Sequence, residues 1–116
     1  MESDAALLER FQCAAFDYFL KHCNPANGLV ADTSRAGAPA SIAVVGFALS
    51  CYPVAVERGW MVRAQAAART LATLRFFWSS EQSAAADATG YKGFYYHFLD
   101  MHSGRRVWQS LSLIHI

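Results

Sequence analysis

The chain has 116 residues, of which 54% are hydrophobic and 16% charged, and its formal net charge at pH 7 is +1. The length suits one ordinary domain, and the small net charge, with no basic cluster beyond Arg105-Arg106, excludes an electrostatic basis for binding nucleic acid or anionic membranes. Because soluble domains usually carry about a quarter charged residues, the apolar excess predicts a thoroughly buried core or faces that pack on further protein.

The cysteines and the N-terminus exclude several further classes. Cys13, Cys23 and Cys51 are odd in number and lack CxxC spacing, which argues against a disulfide framework and a structural zinc site, so no metal and no cofactor is predicted. The opening MESDAALLERFQ is acidic where a signal peptide is basic. The most apolar stretch, APASIAVVGFALSCYPVAV, contains three helix breakers. We therefore expect no export signal, no membrane segment and, by default, a cytoplasmic chain.

The first predicted helix covers about residues 4–22. Ser3 or Asp4 can cap its first turn, and apolar residues recur at steps of three and four, which indicates one mostly apolar stripe. The stripe comprises Leu7, Leu8, Phe11, Ala15, Tyr18, Phe19 and His22. The following CNPANGLVADTSRAGAP is rich in Asn, Pro and Gly, which predicts a long ordered loop.

The second predicted helix covers about residues 41–58. Ser41 can cap its start, and Gly59 suits the left-handed residue just past its end. Between them IAVVGFALSCYPVAV has no polar face, which predicts a helix that is buried on all sides. Pro53 predicts a kink, because it removes one backbone hydrogen bond.

The third predicted helix covers about residues 62–79, with an apolar stripe formed by Ala67, Leu71, Leu74 and Trp78. A polar connector, SSEQSAAADATG, follows it. The pattern then predicts a strand from Phe94 to Leu99, a turn in DMHSGRR and a second strand at about 105–109, which together form a short hairpin. The fold class is therefore mainly α.

The aromatic segment GYKGFYYHFLD, residues 90–100, is the most distinctive stretch of the chain. Alternation along a straight strand would place Tyr91, Tyr95 and His97 on one face. Because sugars combine apolar C–H faces with a rim of hydroxyls, Tyr95, His97 and Asp100 are candidate substrate-binding residues. The alternative is structural: aromatic residues favour any half-buried strand, the trio can pin a hairpin, and Asp100 can cap the turn that follows.

Asp32, in NGLVADTS, is a second candidate carboxylate. Gly28 allows a tight turn upstream, and a loop position leaves Asp32 able to project into a cleft. The alternative is that Asp32 caps the turn that contains Thr33 and Ser34.

The order of these features resembles the N-terminal part of the glucoamylase-like domain family, bacterial proteins linked to β-1,2-glucan cleavage or to cyclic β-1,2-glucan synthesis. The resemblance spans residues 7 to 108. It is carried by LLERFQCAAFDYF, NGLVADTS, SIAVVGFALSCYPVAVERGWM, AARTLATLRFFW and, most specifically, GYKGFYYHFLDMHSGRRVW.

The resemblance implies a fragment of an (α/α)6 toroid, with the second helix in the inner ring and a sugar cleft at one rim near Asp32 and residues 95–100. It also implies a glucan oligosaccharide or polysaccharide as partner. Pro53 departs from the family pattern. After VWQS the family continues with an acidic stretch like ELSTIDT, whereas this chain reads LSLIHI, which is what the start of a transposon end used in sequencing libraries encodes. Residues 1–110 are therefore expected to be the N-terminal part of the domain, its C-terminal remainder missing, and residues 111–116 a non-native tail.

The function implied is that of a carbohydrate-active enzyme fragment acting on β-glucan, by β-1,2-glucan hydrolysis or processing. Glycosidic cleavage needs two carboxyls. Asp32 and Asp100 are candidates, but the resemblance puts the important acids beyond residue 110, so the residues here are expected to bind substrate and the fragment alone to be inactive. The alternatives are a non-catalytic helical interaction module and a non-catalytic sugar-binding module.

Overall fold

The computed structural model describes residues 1–107. They form helix α1 (Asp4–Lys21), strand β1 (Ala40–Ser41), helices α2 (Ile42–Glu57) and α3 (Arg63–Ser79), and strands β2 (Gly90–Tyr91), β3 (Phe94–Tyr95) and β4 (Phe98–Leu99). The three predicted helices are confirmed, and each bound lies within one residue of its predicted position. The tail predicted at 111–116, the last residues of the predicted domain 1–110 and the end of the strand predicted at 105–109 lie outside the described residues.

Local capping determines where the helices begin and end. The hydroxyl of Ser3 accepts a hydrogen bond from the Ala6 N–H at 3.1 Å, as an N-cap residue should. Gly59, at φ +78°, closes α2. Its N–H donates to the Val56 carbonyl at 3.1 Å, and the Trp60 N–H donates to the Ala55 carbonyl at 2.8 Å, so the helix ends in a Schellman motif.

The core of the described chain is built on one face of α2. Four residues of that helix, Val45, Ala48, Tyr52 and Ala55, are buried. From α1, Phe16 meets the Tyr52 ring edge-on at 6.4 Å between centroids. The rest of the core comes from the loops and the other elements: Leu29, Val30, Ala40, Met61, Ala66, Tyr96 and Leu99.

The opposite face of α2 is uncovered in residues 1–107. Phe47 is 63% exposed there and Val54 is 50% exposed. The expectation that α2 is buried on all sides is therefore not met by the described chain, because α1 and α3 cover only one of its faces.

The apolar stripe predicted for α1 is partly buried, whereas that of α3 is exposed. In α1, Tyr18 and Phe19 of the stripe pack against the core. Leu8 and Phe11 are solvent-exposed, and the buried residue, Phe16, lies off the stripe. In α3, the buried residues are Ala66 and Thr73. The predicted stripe of α3 points away from the core, and Trp78 at its end is 92% exposed. Phe76 and Phe77 also pack against the core from α3, and the small residues Ala66 and Thr73 let the helix approach its neighbours closely.

Candidate functional site

A ladder of short antiparallel pairings joins three distant parts of the chain. Strand β1 pairs with β4 through Ala40–Leu99 and Ser41–Phe98. Single antiparallel bridges extend the ladder on both sides, from Ala31 to Ala40, from Cys23 to Val30 and from Leu99 to Arg106. The ladder therefore brings together the loop after α1, the residues that precede α2 and the aromatic segment.

The predicted continuous strand from Phe94 to Leu99 is wrong in detail. Lys92 and Gly93 both have positive φ, 53° and 88°, and form a two-residue turn that folds β3 back on β2. The chain then leaves this hairpin, and β4 pairs with β1 instead. Because the segment is not straight, the alternation that put Tyr91, Tyr95 and His97 on one face does not apply.

Tyr95 and His97 each have a partner within the protein. The Tyr95 hydroxyl donates to the Phe77 carbonyl at 3.0 Å, and the two rings meet edge-on at 4.8 Å between centroids. His97 Nε2 shares a hydrogen bond with the Ser41 hydroxyl at 3.2 Å. The His97 carbonyl accepts from the Ile42 N–H at 3.0 Å. Ser41 is the N-cap residue of α2 by position, but its hydroxyl bonds His97 rather than the helix.

Asp100 caps the turn that follows it, which we call the 100–104 turn. Its Oδ1 accepts from the Ser103 N–H at 2.8 Å and from the His102 N–H at 2.9 Å. These bonds, that from Ser103 above all, hold the pKa of the Asp100 carboxyl below its usual range. Asp100 is therefore ionised at neutral pH, with one carboxylate oxygen engaged in the turn.

Asp32 lies on the exposed loop before β1. Its N–H donates to the Pro39 carbonyl at 2.8 Å, which closes the loop. A hollow of about 630 Å³ is lined by residues 32–39. Burial raises the pKa of the Tyr18 hydroxyl, and the negative charge of Asp32 raises it further, so the Asp32 carboxylate lies near Tyr18.

A cleft of about 550 Å³ lies where these loops meet, and we call it the loop cleft. Its walls are the end of α1, the loop 33–38 and the 100–104 turn, represented by Met101 and His102. The structure thus brings the loop that carries Asp32 and the turn that carries Asp100 to one cleft. None of the four predicted site residues, Asp32, Tyr95, His97 and Asp100, is among the described residues that line it. Tyr95 instead borders a separate hollow of about 600 Å³ beside Trp78.

The loop cleft contains polar side chains that the sequence pattern did not indicate. His22 lines the cleft and lies against Tyr18, with ring centroids 4.6 Å apart and the ring planes tilted by 33°. The Tyr18 hydroxyl donates to the Ala31 carbonyl. Arg35 and His102 are exposed at the cleft. Imidazole, guanidinium and hydroxyl groups together can donate to and accept from a hydroxyl-rich ligand. The sequence signals that were available are the position of His22 just past α1 and the turn composition of DMHSG.

Two kinds of site are absent from residues 1–107. No cluster of three or more His, Cys, Asp or Glu side chains there could hold a metal ion. None of the helices in that range is long and apolar enough to cross a membrane.

Comparison with known proteins identifies a related fold. No family model matches the chain, and no curated protein matches it. Among solved structures, it is similar to a candidate glucoamylase from Bacteroides uniformis ATCC 8492, with 29% sequence identity and a TM-score of 0.78. The match covers 92% of this chain and 25% of that chain, so the chain spans about a quarter of the length of the structure it matches. The chain therefore has a glucoamylase-like fold, and the predicted fold class, three helices and a short antiparallel hairpin as a fragment of an α/α toroid, is confirmed.

Proposed function

We propose that the chain is the N-terminal part of a carbohydrate-active enzyme that acts on a β-glucan, by hydrolysis or processing of β-1,2-linked glucan. The observation that carries this proposal is the likeness to a candidate glucoamylase over 92% of the chain. The proposed specificity for the β-1,2 glycosidic linkage rests on the resemblance of GYKGFYYHFLDMHSGRRVW to proteins associated with β-1,2-glucan.

In this proposal the described residues bind substrate in the loop cleft. The cleft supplies the guanidinium of Arg35 and the imidazoles of His22 and His102. The neighbouring hollow, which shares the loop 33–38 with the cleft, adds the carboxylate of Asp32. Such groups can bond several sugar hydroxyls at once. Sugar contacts by Tyr95 and His97 stay a prediction. In the structure each side chain bonds another part of the protein, Tyr95 the Phe77 carbonyl and His97 the Ser41 hydroxyl.

The catalytic carboxyls are proposed to lie mainly outside this chain. A catalytic proton donor needs a raised pKa, because it must stay protonated near neutral pH. Asp100 has a lowered pKa, so it suits a charge-stabilising or base role better than that of the acid. Asp32 remains a candidate in this chain, but glycosidic cleavage needs two carboxyls, and the resemblance puts the important acids beyond residue 110. We therefore expect the chain alone to be inactive.

The exposed apolar faces support a longer domain. Phe47 and Val54 on α2, and Leu74 and Trp78 on α3, are all at least half exposed. We propose that further helices of the same toroid cover them. The alternative, a helical interaction module, would use the same faces to bind a partner protein.

Calorimetric titration with β-1,2-, β-1,3- and β-1,4-linked gluco-oligosaccharides tests the proposal, in the chain and in the longer protein recovered from its gene. We expect β-1,2-linked ligands to bind best and only the longer protein to hydrolyse them. Asp32→Asn should weaken binding about tenfold, as expected for a lost charged hydrogen bond. Glu57→Gln, at an exposed carboxylate on α2, is the matched control and should change nothing. A longer protein that binds none of these sugars would refute the proposal.

A further inference from the structure

The backbone of the 100–104 turn is held by two asparagines from a distant loop. Asn24 Nδ2 donates to the Met101 carbonyl at 3.0 Å. Asn27 Nδ2 donates to the same carbonyl at 3.1 Å and to the His102 carbonyl at 3.5 Å. Both asparagines belong to the segment NPANG, and Asn24 also lines the loop cleft. We call residues 24–28 the asparagine turn.

Each asparagine is itself oriented by a local hydrogen bond. Asn24 Oδ1 accepts from the Ala26 N–H at 3.0 Å, and Asn27 Oδ1 accepts from the Leu29 N–H at 2.9 Å. With the oxygen engaged, the NH₂ end of each amide faces the carbonyls of the 100–104 turn. Asn27 is only 7% exposed, so loss of its bonds would leave buried polar groups unpaired.

The asparagine turn in turn rests on α3. Gly28 adopts φ +74°, and a Cβ built on it would lie 1.9 Å from Thr73 Oγ1. Thr73 is buried, with 1% of its surface exposed. A continuous set of contacts therefore runs from α3 through the asparagine turn to the edge of the loop cleft.

These contacts fix the backbone of His102 from both sides. The Asp100 carboxylate accepts from its N–H, and Asn27 donates to its carbonyl. The His102 side chain, by contrast, is exposed and lines the loop cleft. Because the backbone is already fixed, only the side-chain rotamers of the imidazole have to be ordered when it binds a ligand. As a neutral ring it can donate one hydrogen bond and accept another.

We propose that His102 contacts the sugar in the loop cleft and that Asn24 and Asn27 are positioning residues that hold it there. This inference rests on the proposed function, since it assigns contacts within the same site. It assigns to the 100–104 turn a ligand-contacting side chain other than Asp100, whose carboxylate already caps that turn.

A double-mutant cycle tests the coupling between the two positions. Asn27→Asp keeps the bond accepted from Leu29 and replaces the donating NH₂ with a carboxylate oxygen that repels both carbonyls. We expect His102→Ala and Asn27→Asp each to weaken binding of a β-1,2-linked gluco-oligosaccharide by about tenfold. If Asn27 acts through His102, the double variant should bind no more weakly than the worse single variant. Losses that multiply in the double variant would overturn the positioning role, and full affinity in His102→Ala would overturn the contact.

A ligand-free measurement keeps the two proposals distinguishable. In NMR spectra of the chain, Asn27→Asp should shift or broaden the imidazole signals of His102. The signals of His22, which lines the same cleft without touching Asn27, should not change. If Asn27→Asp does not fold, Asn24→Asp removes only the bond to Met101 and should likewise change the His102 signals. His97, which does not line the cleft, is then the control, because Asn24 lies two residues from His22. Unchanged His102 signals would refute the positioning role even if sugar binds. Absence of sugar binding would refute the proposed function and the His102 contact. The NMR result would still decide whether the asparagines determine the position of the His102 imidazole.

Discussion

Replacement of Gly28 by alanine should destabilise the protein through two separate effects. Gly28 has φ +74°, and a residue with a Cβ pays about 1–2 kcal/mol in the left-handed region. The new Cβ would also lie 1.9 Å from Thr73 Oγ1 and 2.7 Å from Thr73 Cα. Because Cα belongs to the backbone of α3, rotation of the threonine cannot relieve the clash, and such overpacking costs about 1–3 kcal/mol. The expected loss for Gly28→Ala is therefore about 2–5 kcal/mol in the free energy of unfolding.

Gly37 provides the matched control. It has nearly the same φ, +79°, but a Cβ built on it meets nothing within 4 Å. Gly37→Ala should therefore show the conformational cost alone, about 1–2 kcal/mol. Urea unfolding of the chain and of both variants, followed by circular dichroism, gives the two losses, and their difference is the steric contribution. Equal losses for the two variants would show that the asparagine turn does not rest on α3 as described.

Three further predictions concern stability. Trp78 is 92% exposed, so Trp78→Ala should change the free energy of unfolding of this chain by less than about 0.5 kcal/mol. In a longer protein that covers the α3 stripe, the same change should cost about 3 kcal/mol or more. Equally small effects in thermal melts of both proteins would contradict the longer toroid. The folded-state pKa of Asp100 is lowered from 3.8, so the stability that its carboxylate contributes is present above pH 3.8 and is lost as the pH falls through the lower folded-state pKa. Asp100→Ala should therefore reduce the loss of stability in acid, and an unchanged acid unfolding profile would refute the capping role. Tyr95→Phe removes the bond to the Phe77 carbonyl and should cost about 1 kcal/mol of stability; near-normal melting with weaker glucan binding would instead identify Tyr95 as a sugar contact.

The sequence alone determined the helices and their ends, because both depend on residues close together in the chain. The Ser3 cap and the Gly59 stop each act within a few residues, so a local pattern could predict them. Turn capping by Asp100 is also local, since its carboxylate bonds N–H groups two and three residues further on, and the sequence offers it as one of two alternatives. The resemblance in the aromatic segment likewise indicated the fold that the comparison supports.

Only the tertiary structure decided which faces pack and which loops meet. The apolar stripe of α3 was correctly identified as apolar, yet Thr73 and not Leu74 faces the core, because a small side chain there lets Gly28 approach closely. The single strand predicted at 94–99 is two strands in the structure. Residues 94–95 pair with β2, and Phe98 and Leu99 pair with β1, which is far away in the sequence. The bonds from Asn24 and Asn27 to the 100–104 turn span more than 70 residues. Contacts of that range leave no periodic trace in a sequence, so only the folded chain shows the loop cleft and the position of His102 in its wall.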